Sequence, residues 1–194
     1  MIPNSMFIKR ISFPLAVATL AGVVGFWAPA SGQTDVEAAP IYGIKIPPGY
    51  RDWTLISVGS VGGPPKDTRA KLGNAVAIQA FREGKLPFPD GTIIARLAWS
   101  QVASEESNQA FRASLQGKLS PDAIQKVLAE TFIAGPATNV QFMIKDSKKY
   151  ASTAGWGFAQ FTNGKPDGEA LHKTCFPCHA PAKDRDFVFT RYAH

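Results

Sequence analysis

Thr92-Ile93-Ile94-Ala95-Arg96-Leu97-Ala98-Trp99 is rich in β-formers and is preceded by the turn Pro87–Gly91. It reads as a strand. Three further stretches read the same way: Trp53–Val58, Asn139–Lys145 and Trp156–Phe161. Each is short and bounded by turn residues. Seventeen Gly and fifteen Pro in 194 residues argue against a helical bundle and for many turns. The expected fold is therefore a single α+β domain, an antiparallel β-sheet with flanking helices.

The helical signals lie between these strands. Asn74 is placed to cap a helix over Ala75–Glu83. Val76, Ala77, Ala80 and Phe81 recur at helical spacing, and Gly84 ends it. Ser120-Pro121-Asp122 starts a second helix, Ala123–Phe132, stopped by Gly135-Pro136. The polar stretch Ser104–Gly117 is compatible with a helix or an irregular excursion. Gly59–Asp67, with Gly62-Gly63-Pro64-Pro65, reads as a loop, Asp146–Ala151 as a short helix and Asn163-Gly164 as a turn.

Composition sets the class. Hydrophobic residues make up 45% and charged residues 19%, which excludes a disordered chain and a multi-span membrane protein. At the start, Lys9-Arg10 precede an apolar run from Ile11 to Trp27 and then Ala28-Pro29-Ala30. This order is that of a secretory signal. Residues 1–30 are thus expected to be a signal peptide, with an uncleaved anchor as the other reading. Residues 31–46 read as an N-terminal leader, loose over 31–40, and 47–194 as the functional domain. The formal charge is +6; without residues 1–30 it is 19 basic against 15 acidic side chains, +4. That small, scattered excess does not point to nucleic acid. After cleavage no membrane attachment is expected, and the protein would fold outside the reducing cytosol, in the periplasm.

Both cysteines of the chain lie in Cys175-Phe176-Pro177-Cys178-His179. C-x-x-C-H is the pattern of c-type haem attachment. Two thiols add to the two haem vinyl groups as thioethers, and the adjoining imidazole becomes the proximal ligand of the iron. The site expected is one covalent haem c on Cys175 and Cys178, with His179 on the metal. Three other readings exist. A Cys175–Cys178 disulfide suits an exported protein. A thioredoxin-like redox pair needs a strand–helix–strand pattern, which the surrounding sequence lacks. Half a zinc site would need two more ligands, for which only His172 and His194 remain.

The motif comes late, with fifteen residues after His179 and no Met among them. An electron-carrying cytochrome usually brings a Met to the sixth position. Outside residues 1–30 the one Met is Met143, in the apolar stretch Val140–Ile144, where core packing is a sufficient role. His172 is too close to the motif to reach the far side of the iron, and His194 is terminal. The expected state is a five-coordinate iron with an open side.

Several short motifs, in order, resemble one family. They are Tyr50-Arg51-Asp52-Trp53, Phe88-Pro89-Asp90-Gly91-Thr92, Ile144-Lys145-Asp146-Ser147-Lys148-Lys149-Tyr150, Trp156–Phe161, the C-x-x-C-H pentapeptide and Val188-Phe189-Thr190-Arg191-Tyr192. From Tyr50 to Tyr192 the chain resembles cytochrome P-460 and its relative cytochrome c′-beta. The resemblance implies a mostly antiparallel sheet, a homodimer in the bacterial periplasm and a five-coordinate c-type haem. It further implies either hydroxylamine oxidation, with a lysine bonded to the porphyrin, or binding of nitric oxide and carbon monoxide without that bond.

The family lysine follows the Asp-Gly turn, and that alignment lands on Arg96. A guanidinium stays protonated and does not attack carbon as an amine can. Lys85 precedes the turn and Lys71 lies further back, so neither is expected on that strand. Arg96 is a candidate haem-pocket residue with three possible roles: a solvent or acid partner, a propionate ligand, or a distal hydrogen-bond donor. Glu169, just before the motif, is a candidate acid or base, or simply a helix-start carboxylate. Phe88, Phe158, Phe161 and Phe176 are candidate pocket walls. The sequence therefore favours a haem protein for small nitrogen-oxide or gas ligands. Its alternatives are an oxidoreductase acting on hydroxylamine or a related nitrogen compound, and an electron-transfer cytochrome, either with a redox partner protein.

Overall fold

A computed structural model describes residues 37–193; the expected signal peptide and His194 lie outside them. Six antiparallel strands form one sheet in sequence order: β1 (Thr54–Val61), β2 (Asp67–Gly73), β3 (Ile93–Val102), β4 (Ile133–Lys145), β5 (Trp156–Thr162) and β6 (Lys165–Pro166). Four helices accompany it: α1 (Ala75–Glu83), α2 (Glu105–Leu115), α3 (Pro121–Ala129) and α4 (Glu169–His179). This is the expected α+β domain. Among the described residues no helix is long and apolar enough to cross a membrane.

Strand alternation divides the sheet into two unlike faces. Leu72, Ala95, Phe142 and Ala159 share one row across β2–β5, and Ala70, Leu97, Val140 and Phe161 share another on the same face. That face packs into the hydrophobic core together with Ile56, Ala77 and Ile78. On the other face the rows are Gly73, Ile94, Met143, Phe158 and Lys71, Arg96, Gln141, Gln160. The first of these is apolar and the second polar; together they form a wall.

Helix α1 forms as the sequence indicates. Asn74 Oδ1 accepts from the Ala77 N–H (2.9 Å) and also from the Ile93 N–H (3.1 Å), so one side chain caps the helix and joins it to β3. Gly84 closes it at φ 61°. The stretch after Ser104 is a helix, α2, capped by Ser104 and without buried residues.

Four expectations are corrected, and one strand is unforeseen. The loop over Gly59–Asp67 is shorter, because β1 continues to Val61 and β2 begins at Asp67. β2 itself has no counterpart among the expected strands. Helix α3 ends at Ala129, and Gly135-Pro136 lie inside β4. There the two oppose the single Ser100, between the pairs Gln101–Ala134 and Trp99–Ala137. A bulge is where a strand tolerates proline. Asp146–Ala151 is a turn, with Asp146 Oδ1 accepting from the Lys148 and Lys149 N–H groups, and only Ala151–Thr153 form a 3-10 turn. Finally, the described end of the segment expected to be loose, residues 37–40, holds Ala39 buried in the core, where Tyr42 and Ile44 of the same leader join it.

Gly157 marks the closest packing. A Cβ there would stand 2.5 Å from Tyr150 Cζ, in a ring that is itself buried. Gly157→Ala is expected to destabilise the fold by about 1–3 kcal/mol, measured by thermal or denaturant unfolding.

Candidate haem site

Cys175, Cys178 and His179 stand at i, i+3 and i+4 of α4, the spacing that gathers side chains on one helix face. Both thiols are free, and Cys175 Sγ points its hydrogen at the Leu171 carbonyl (3.8 Å). Burial and the neighbouring Cys178 push the Cys175 thiol up from its ordinary pKa. His179 Nδ1 lies 2.8 Å from the Phe187 carbonyl, so it carries the hydrogen and leaves Nε2 with its lone pair. Burial lowers the pKa of His179, which favours the neutral imidazole a metal requires. Its ring packs between Phe158 and Phe189, with centroids 5.0 and 5.2 Å away.

The helix is anchored by a residue that sequence reasoning set aside. His172 is fully buried. Its Nδ1–H donates to the Gly168 carbonyl (3.0 Å), and its Nε2 accepts the Gln160 N–H of β5 (3.0 Å). This imidazole pins the first turn of α4 to the sheet. A buried His with both nitrogens used is a structural pin, and its position three residues before Cys175 is the only hint the sequence offers.

Between α4, the tail Val188–Thr190 and the wall of β2–β5 lies a cavity of about 750 Å³. That is within the range of pockets for organic ligands and cofactors, roughly 300–1,000 Å³. Cys175, Cys178 and His179 border it on one side, and Ile94, Met143 and Phe158 supply apolar wall. Of the other candidate wall residues, Phe88 packs against Phe81 and Trp156, Phe161 against Phe142, and Phe176 against Phe158 and Phe187. Met143 faces the cavity as well as touching the core.

Arg96 also borders the cavity. Its guanidinium donates to Asp67 Oδ2 (3.3 Å) and Asn139 Oδ1 (3.4 Å), while its buried Nε has no partner among the described residues. Asp67, almost fully buried, also receives Arg69 Nε at 2.8 Å. Lys71 sits on β2 directly opposite Arg96 and borders the same cavity. Neither Lys71 nor Lys85 is on β3, as expected, but the register brings Lys71 of the adjacent strand alongside Arg96. Its amine rests over Gly59 of β1, where a Cβ would come within 3.1 Å. Burial first, and then Arg69 and Arg96, push the Lys71 amine down in pKa, against a smaller opposing effect of Asp67. Three cations thus surround one carboxylate. Glu169 takes no part: it lies exposed at the start of α4, paired with Lys173 at 2.8 Å, and does not border the cavity.

The residues present fit a haem. Two thiols and a neutral imidazole share a helix face on the rim of a large, partly apolar cavity, and the far wall holds an unpartnered guanidinium nitrogen suited to a carboxylate or other anion. The competing readings gain less. The sheet is wholly antiparallel, so the strand–helix–strand setting of a redox pair is missing. No group of three or more His, Cys, Asp or Glu side chains is placed to hold a metal among the described residues.

An antiparallel sheet with a helix-borne thiol–imidazole set on a large cavity defines a cofactor-binding α+β protein. The chain belongs to the cytochrome P460 family, whose model matches residues 47–190. The family's cofactor is haem. Among curated proteins none matches the chain significantly.

Among the described residues Asp67 is the sole carboxylate bonded to Arg69 and Arg96. Asp67→Ala is expected to destabilise the protein, by less than the roughly 3–5 kcal/mol of stranding a fully buried charge. The Arg69 and Arg96 side chains, 27% and 19% exposed, retain some solvent. Denaturant unfolding at low and high salt checks this, with the smaller loss expected at high salt.

Proposed function

We propose that the protein is an exported, periplasmic haem protein that binds a small gas or nitrogen-oxide ligand, such as nitric oxide or carbon monoxide, on an iron left open on one side. The haem is a single haem c, bonded to Cys175 and Cys178. The observation that carries this reading is the commitment of His179 Nδ1 to the Phe187 carbonyl, which leaves Nε2 as the metal-binding nitrogen. When bound, the haem supplies an iron that takes up diatomic ligands and changes oxidation state. The chain's part is to hold it: α4 presents the thiols and imidazole, and Ile94 and Phe158 keep water from part of the wall. Arg96 offers its Nε either to a haem carboxylate or to the bound ligand. With a guanidinium at this position, the lysine–haem bond implied by the resemblance to cytochrome P-460 has no amine on β3. A homodimer is the expected assembly.

One observation favours a second reading, oxidation of hydroxylamine or a related nitrogen compound with a redox partner protein. Lys71 places an amine with a depressed pKa one strand from Arg96. Such an amine could replace a ring hydrogen of the porphyrin, with two electrons and two protons passing to an oxidant such as peroxide.

The test is maturation in a bacterial host that attaches haem c, followed by mass spectrometry and optical spectra. The expected product carries one haem on the peptide of Cys175 and Cys178, gives a five-coordinate ferrous spectrum and shifts with nitric oxide. A product without haem sinks both readings. A haem peptide also joined to the peptide of Lys71, with turnover of hydroxylamine, supports the second. A six-coordinate low-spin ferrous spectrum lost in Met143→Leu points to the electron carrier. If Arg96 donates to the ligand, Arg96→Leu weakens binding about tenfold or more; an unchanged affinity assigns Arg96 to the haem carboxylates or to Asp67 alone.

A further inference from the structure

The His179 imidazole depends on a carbonyl held in an unusual backbone. Asp186 and Phe187 are consecutive non-glycine residues with φ of 50° and 64°. Asp tolerates this left-handed region; for bulky Phe it is an outlier that surrounding contacts must impose. The contacts are specific. The Asp186 carboxylate receives Lys145 Nζ on both oxygens, at 2.8 and 2.9 Å, and the Phe88 N–H on Oδ2 at 2.8 Å. Both members of the ion pair are buried, the Lys145 and Asp186 side chains being 7% and 9% exposed.

Lys145 is fixed in turn. It ends β4, its backbone bonds to Thr92 and Gly91, and its ammonium also donates to the Ala154 carbonyl at 3.1 Å. The ammonium lies 4.9 Å from the centre of the Trp156 ring, which is wholly buried. One residue beyond Asp186, the Phe187 carbonyl accepts from His179 Nδ1. A chain of short, directional contacts therefore runs from the end of β4 to the imidazole.

We infer that Lys145 and Asp186 are positioning residues for the proximal ligand: the buried ion pair locks the left-handed Asp186–Phe187 turn, and so fixes the carbonyl that sets the tautomer and basicity of His179. The inference rests on the reading of His179 as the iron's ligand. A carbonyl on Nδ1–H makes the imidazole a stronger donor through Nε2. Stronger donation favours ferric over ferrous iron, so loosening the carbonyl raises the midpoint potential.

The experiment compares the haem-loaded wild type with Lys145→Met and Asp186→Asn. Asp186→Asn keeps the tolerance of the left-handed region and an oxygen for the Phe88 N–H, so it preserves the fold if Lys145→Met does not. Ser120→Ala is the control: Ser120 caps α3, accepting from the Ala123 N–H (3.3 Å), on a helix that packs chiefly against α2 and not against either member of the pair. Lys145→Met is expected to shift the ferrous-to-ferric ratio about tenfold at fixed potential, an upward move of about 59 mV for one electron. Asp186→Asn shifts it the same way by less, and Ser120→Ala lowers stability without moving it.

Nitrogen-edited NMR of the imidazoles in haem-free protein gives an independent readout. The His179 Nδ1–H is expected to be protected from exchange in the wild type and lost in both variants. Variants that fold with the wild-type potential and a protected Nδ1–H overturn the inference. If the wild type attaches no haem, the reading of the site fails, and the imidazole signal alone still decides whether the pair holds the carbonyl.

Discussion

The two-residue period of β3, held in register between β2 and β4, places Ile94 and Arg96 on the cavity wall. Ala95 and Leu97 turn into the core, so Ile94 and Arg96 must turn the other way. A slip of one residue would exchange the two sets, burying a guanidinium in the apolar core and exposing the core residues to the cavity. The apolar face thus specifies the functional one. The polar row from Lys71 to Gln160 is tolerated because its neighbours face it across four strands. Gln141 donates to Gln160, Gln160 to Asp167, and Arg96 to Asp67.

Much of this architecture could be read from the chain. α1 announces both ends, Asn74 and Gly84, because caps are local chemistry. β3 and β5 are apolar enough to be seen as strands on composition alone. The unread elements share a cause: their meaning depends on distant partners. β2 alternates Thr68, Ala70 and Leu72 with Asp67, Arg69 and Lys71, and only the cavity opposite explains why charged residues point inward. Gly135-Pro136 looks like a stop until Ser100 is seen across the bulge. Ala39, Tyr42 and Ile44 belong to a segment too short to show a period, yet they fill the core.

The site divides in the same way. Cys175, Cys178 and His179 form a contiguous motif, and helical spacing alone puts them on one face. Arg96 was found through a resemblance and a chemical contrast between amine and guanidinium. Lys71 was weighed and set aside, because cross-strand proximity is invisible until the register is known. The Phe187 carbonyl could not be found at all, since it is a backbone atom whose direction comes from two positive φ angles and a buried ion pair 41 residues apart in sequence.

The margins of the sheet carry a consequence of their own. β6 has only two residues and ends in proline, which has no N–H to offer a newcomer. At the opposite margin β1 is irregular between Leu55 and Ser57, and the Ile56 carbonyl is already taken by the Ala193 N–H. Both borders are blunted, β6 over its whole length and β1 at its start. A newcomer strand therefore finds its ladder interrupted at Pro166 on one side and at Ile56 on the other, which works against open-ended fibrous stacking.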